Sequence, residues 1–191
     1  MRSTVNLEAV LRRFADVDIA DLSPKHRKIF FRGVQGGAWS NSKMFGAVLE
    51  SVFNRSGGVI DADADTFKAA LFDNTITPSN TVTAANSAYG AGVWASGGVL
   101  DASGWPAVGR NLVTPTSAHA SGTWTFDAVD TVSANNTTTL TNAYGTLVYD
   151  DTAATVADQG LSYNYFGGAN SVTSGTFTIV WNTSGIAAVA T

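Results

Sequence analysis

The sequence predicts a mainly β protein: an antiparallel β-sandwich or barrel-like domain with an N-terminal helical arm. Three observations lead there. Between Tyr144 and Trp181, Leu161, Tyr163 and Tyr165 alternate with Ser162 and Asn164, and Phe177, Ile179 and Trp181 alternate with Thr178 and Val180. Alternation with period two is the mark of half-buried strands. From Val59 onward, short apolar runs are broken every few residues by Gly, Asn, Asp or Pro, the punctuation of sandwiches and barrels. Charge also changes sign along the chain. Residues 1–55 hold nine Lys and Arg against five Asp and Glu, net +4, whereas the rest hold only Lys68 and Arg110 against ten acids, net −8. Such a switch marks a boundary, placed here between a helical arm over 1–58 and a β-domain over 59–191.

In the arm, Asn6 is a helix cap, followed by Leu7, Val10, Leu11, Phe14 and Val17 at the three- and four-residue spacings of an amphipathic stripe ending near Leu22. Ser23-Pro24 starts a second, short helix that Gly33 closes. Ser40 to Ser42 offers another cap, and Phe45, Val48, Leu49, Val52 and Phe53 form the clearest stripe of all, stopped by Gly57-Gly58. A segment of this length cannot bury its own apolar stripes, so they are expected to find a partner.

In the β-domain the first strand is expected at Phe67 to Leu71, with helix as the alternative. Further apolar groups follow at Ala88 to Trp94, Val99-Leu100, Val108 to Val113, Thr123 to Phe126, Val129 to Val132, Thr138 to Leu140 and Ile186 to Val189. The Tyr144–Trp181 stretch reads as a three-stranded meander. Its turns fall at Gly167-Gly168 and Ser174-Gly175, residue types that reach positive φ or tight turns readily.

Composition narrows the class. The chain has 191 residues, 45% of them hydrophobic, enough for one domain and an appendage. Only 14% are charged and none is cysteine, so durability must come from packing or assembly, with no disulfide or thiolate metal site. No run approaches the roughly 18 to 20 apolar residues of a membrane span, and no secretory core follows Met1-Arg2. Synthesis and folding in a cytoplasm are therefore expected.

No constellation of catalytic, cofactor-binding or metal-ligating residues emerges. Asp61-Ala-Asp-Ala-Asp65 opens like a calcium loop, but Thr66 stands where glycine must turn the chain and Phe72 where a bidentate glutamate belongs, which leaves a solvated linker. Asp150-Asp151 reads as an acidic turn ending a strand. His26 and His119 lie near no nucleophile elbow or zinc helix, and Ser117, His119 and Asp127 form a triad only if geometry unites them. Gly90-Ala-Gly92 lacks the third glycine of a dinucleotide site. The basic residues of the arm are spread over helix faces without interleaved aromatics, so they suit an electrostatic protein contact better than nucleic acid. Trp124 and Trp181 alternate into the core. Trp94 and Trp105, flanked by glycines, are the candidates for an exposed aromatic platform that stacks on sugar.

The segments FKAALFDNT (67–75), SAYGAGVWASGGVLDASGWPAVGRNLVTPT (87–116), WTFDAVDTVSAN (124–135), NAYGTLVYDD (142–151) and VADQGLSYNYFGGANSVTSGTFTIVWNTSGI (156–186) resemble a family of small virion structural proteins of tailed bacteriophages, especially those of actinobacteria. The resemblance implies a non-enzymatic capsid (head) decoration protein that binds the major capsid protein and itself, as a homo-oligomer such as a trimer, with no cofactor, nucleic acid or membrane. It implies a place on the virion surface. The alternative is a minor tail or head-fibre protein that contacts the host surface through carbohydrate. An assembly interface is expected at Phe14, Phe45, Leu49 and Phe53 of the arm.

Overall fold

A computed structural model of the chain describes residues 39–54, 60–152 and 156–190. In chain order these form β1 (Lys43–Met44), α1 (Gly46–Asn54), β2 (Phe67–Phe72), α2 (Ala84–Ser87), a 3-10 turn (Gly92–Ala95), β3 (Gly98–Val99), β4 (Arg110–Asn111), β5 (Val113–Ala120), β6 (Thr123–Val129), β7 (Thr131–Val132), β8 (Thr138–Asp150), β9 (Gly160–Gly175), β10 (Thr178–Ile179) and β11 (Ala187–Ala190). The fold is mainly β and every named strand pair is antiparallel. The large sheet runs β1-β9-β8-β2-β3, with β4 also on β2; a second sheet runs β11-β6-β5, and β10 pairs with β7. The sheets do not close on themselves, so of the two expected architectures the sandwich fits and the barrel does not.

β2 lies near the middle of the large sheet, between β8 and the short strands β3 and β4. Phe67, Ala69, Ala70, Leu71 and Phe72 are all buried, which is the pattern of a strand covered on both faces. Burial on both faces also explains Ser162. Alternation placed it on the solvent side of β9, yet it is as buried as its neighbours Leu161 and Tyr163. The chain crosses to the second sheet at Leu112, whose N–H donates to the Phe67 carbonyl at 2.8 Å before Val113 opens β5.

The meander holds for two strands and fails at the third. β8 and β9 form a long hairpin, but Gly167-Gly168 is not a turn. The pair sits inside β9, at φ +80° and +156°, where the register jumps from Gly145 opposite Tyr165 to Ala143 opposite Asn170. Five residues on one strand then answer two on the other, a bulge that glycine allows. The third run leaves the hairpin altogether, with Thr178 opposite Val132 and Ile179 opposite Thr131. The expected run at Ala88 to Trp94 is also no strand: Thr83 caps α2 by accepting the Asn86 N–H, and the chain then turns into the 3-10 segment.

Residues 39–54 are built into the core of the β-domain. Trp39 and Phe45 are buried, β1 pairs Lys43 with Tyr163, and the Phe45 N–H donates to the Leu161 carbonyl at 3.0 Å. Ser42, expected as a helix cap, instead accepts the Tyr165 N–H through its hydroxyl at 2.8 Å. The helix itself starts at Gly46 as its apolar stripe requires. The expected helices before residue 39 lie outside the described residues.

Candidate functional site

Both residues of the expected aromatic platform are interior. Trp94 is only 2% exposed, held in a nest of rings with Trp39 at 5.8 Å, Phe45 at 6.1 Å and Phe72 at 5.0 Å, mostly edge to face. Trp105 has no exposed surface; its indole N–H donates to the Ala69 carbonyl at 3.0 Å and its ring meets Phe177 edge to face at 5.5 Å. Neither can be a sugar platform. The flanking glycines that suggested exposure serve close packing instead: a Cβ on Gly104 would collide with the Thr138 side chain. Trp124 and Trp181, expected in the core, are half-buried and pack against it.

The expected assembly interface is corrected at Phe45, whose side chain is sealed in its own core and unavailable to a partner. Leu49 is 38% exposed, and Val52, one turn on, is 45% exposed. On α1 a spacing of three puts these two on one face. The helix therefore turns Ala47 and Val48 inward and keeps an apolar ridge outside. Phe14 and the side chain of Phe53 lie outside the described residues.

A second set of exposed apolar residues, which periodicity did not pick out, begins on the second sheet. Val113 and Val129 stand directly opposite one another across β5 and β6 and are 55% and 56% exposed. Val132 and Val180, on and beside the β7–β10 pair that follows, are exposed as well. A cross-strand pair of valines so open to water is a candidate contact site.

That edge is closed to strand addition. β5 pairs only with β6, and its outer rim is blunted three times over. Pro115 has no N–H to offer, the Ser117 N–H is taken by Asp63 Oδ1 at 2.8 Å, and Thr114 sits at φ +52° where the β5–β6 register slips. A partner meeting the β5 side of this sheet must use the side chains and not the strand rim.

Register separates the Ser117–His119–Asp127 set: Ser117 and His119 share one face of β5, whereas Asp127 stands opposite Thr116 and so belongs to the other face. The Ser117 hydroxyl accepts the Trp124 indole N–H at 2.9 Å, and Asp127 Oδ1 accepts the Ala128 N–H at 2.9 Å. The acidic turn Asp61–Asp65 is tied by its own backbone: Asp61 Oδ1 accepts the N–H groups of Asp63 and Ala64, and Asp65 Oδ2 accepts that of Asp61 at 2.7 Å. No group of three or more acidic or histidine ligands comes together among the described residues. Lys68 and Asp151 form an ion pair at 2.7 Å, close to the stacked rings of Tyr89 and Tyr149. Burial, helped by the charge of Asp151, raises Asp158 above the usual carboxylate range and Tyr149 above the usual phenol range; the Tyr149 hydroxyl donates to the Val108 carbonyl at 2.6 Å.

No helix among the described residues is long and apolar enough to cross a membrane. Comparison with protein-family models, curated proteins and solved structures gives no significant match.

Proposed function

We propose that this chain is a non-enzymatic structural protein of a tailed-bacteriophage particle, a decoration protein that binds the major capsid protein and further copies of itself on the head surface. The observation that carries this reading is the Val113–Val129 pair, exposed on a sheet whose β5 rim is closed to strand pairing. A surface of that kind suits a side-chain contact with a flat protein lattice. The Leu49–Val52 ridge offers a second contact. The likeness of residues 67–186 to virion structural proteins gives the class of partner, and a weakly charged, cysteine-free chain is compatible with it. The carbohydrate reading, with a minor tail or head-fibre protein contacting the host, has lost the observation that favoured it now that Trp94 and Trp105 are interior.

The test is a pair of charge insertions. Val113→Asp with Val129→Asp places two carboxylates on an exposed face, so folding, read by circular dichroism, should persist while co-sedimentation with undecorated capsids is lost. Retention of wild-type capsid binding by this variant would overturn the assignment of that face. Leu49→Asp with Val52→Asp measures the share of the helix ridge in the same assay.

A further inference from the structure

We propose that Asp150 carries a proton that it donates to Asp65, and that this proton is a latch holding the Asp61–Asp65 turn against the end of β8 in mild acid and loosening it as the pH rises. Asp150 ends β8 with no exposed surface. Its Oδ1 accepts the Thr152 N–H and hydroxyl, each at 2.8 Å, but its Oδ2 has no donor within reach. The turn is tied to this end of β8 through Thr66, and the carboxyl that acts on Asp150 from it, by charge and by hydrogen bonding, is that of Asp65. An ionised Asp150 would meet the charge of Asp65 in a place where burial already penalises it, so a proton on Asp150 is the state that satisfies the orphaned oxygen. Burial is the main cause lifting Asp150 above its ordinary range; Asp65 adds to it, and the Thr152 hydrogen bonds oppose it.

Among the described residues the surrounding charges do not supply a counter-ion. Lys68, on adjacent β2, directs its ammonium at Asp151. Asp158, in the segment before β9, is itself acidic, as are Asp61 and Asp63 in the turn, whose carboxylates are engaged by backbone N–H groups. A divalent cation is the other means of reconciling two carboxylates. Here Asp150 Oδ1 and Asp65 Oδ2 are already hydrogen-bonded and no third acidic or histidine side chain joins them among the described residues, whereas calcium takes about six to eight oxygens.

The latch matters because of what the turn connects. Thr66 gives its carbonyl to the Asp151 N–H and its N–H to the Thr152 hydroxyl, both at 2.8 Å, so the turn is sewn to the end of β8. Asp63 reaches in the other direction to the Ser117 N–H of β5, in the second sheet. One proton thus steadies a corner that bridges both sheets.

The sign follows from linkage. A carboxyl whose folded pKa is raised stabilises the fold fully below the ordinary aspartate range, and that stabilisation is lost as pH rises through the folded value. Asp150→Asn replaces that proton with a permanent amide donor to Asp65 and keeps an oxygen for Thr152; Asp65→Asn does the same from the other side. Thermal midpoints of the full chain and both variants, measured from about pH 4 to about pH 8, read the latch. Each variant should be several degrees more stable than the wild type at the alkaline end, with the gap closing on acidification. A gap that does not change with pH, or variants less stable than the wild type at the alkaline end, would overturn the proposal. So would a rise in the wild-type midpoint, absent in Asp150→Asn, on adding calcium or magnesium chloride, because a cation would then occupy the place given to the proton.

Discussion

The ring of Phe67 lies 4.8 Å from the ring of Phe126, tilted by 56°, and both side chains are buried. Phe67 belongs to β2 of the large sheet and Phe126 to β6 of the second, so this contact joins the two layers of the sandwich. Replacing Phe126 by Ala should cost roughly 3 to 5 kcal/mol, the range for a large buried ring lost to a cavity. Denaturant unfolding checks this. A double-mutant cycle with Phe67→Leu should leave a coupling of about 0.5 to 1.5 kcal/mol, as expected for aromatic rings in contact.

The indole of Trp105 is tied to the Ala69 carbonyl in the middle of β2, where water cannot replace it. Trp105→Phe keeps most of the ring volume and removes the donor. The Ala69 oxygen is then left without that bond, and a loss of about 1 to 3 kcal/mol is expected. A loss as large as that of Phe126→Ala would show that packing, and not the hydrogen bond, dominates at this position.

Asp101 responds to acid in the direction opposite to Asp150. The Thr139 N–H, the Ser103 hydroxyl and the Gly104 N–H all donate to its carboxylate and pull its pKa from 3.8 to about 2. A depressed folded pKa contributes stability that is present above the ordinary value and lost as the pH falls through about 2. The wild type should therefore lose its advantage over Asp101→Asn as the solution is acidified across that window. A carboxyl-carbon NMR titration should place the Asp101 midpoint near 2; a midpoint at the ordinary value would mean that these hydrogen bonds do not persist in solution.

Truncation tests where the β-domain begins. The charge switch suggested cutting near residue 58, but Trp39 and Phe45 pack among Trp94, Tyr163 and their neighbours. Removing residues 1–38 should leave a cooperative thermal transition, whereas removing residues 1–45 should abolish it. If the shorter and longer deletions melt alike, the Trp39–Phe45 packing is not needed for folding.

The parts of this fold that were legible in the sequence are those set by local pattern. β6, β8 and the first half of β9 fall where alternation or β-rich runs put them, and α1 follows the spacing of Phe45, Val48, Leu49 and Val52. What period two cannot convey is a strand's partner. Phe177 to Trp181 alternates equally well beside β9 or beside β7, and the choice of β7 depends on contacts distant in sequence. Ser162 was misplaced because alternation assumes one wet face, and here both faces are covered. Trp94 and Trp105 were misread because a glycine neighbour indicates close approach as readily as exposure, and at Gly104 the approach is that of Thr138. The exposed valine pair escaped notice because its meaning lies in register: only when Val113 stands opposite Val129 do two scattered valines become a surface.

The central proposal, that this chain decorates a phage head through an apolar side-chain face, is tested most directly by imaging purified particles from the source of this sequence. An electron cryo-microscopy map should show the sandwich on the outer head surface, in copies that follow the capsid lattice, with the Val113–Val129 face turned toward capsid protein or a neighbouring copy. Density confined to the tail tip, absence from the particle, or a lattice contact that leaves both valines in solvent would contradict the account.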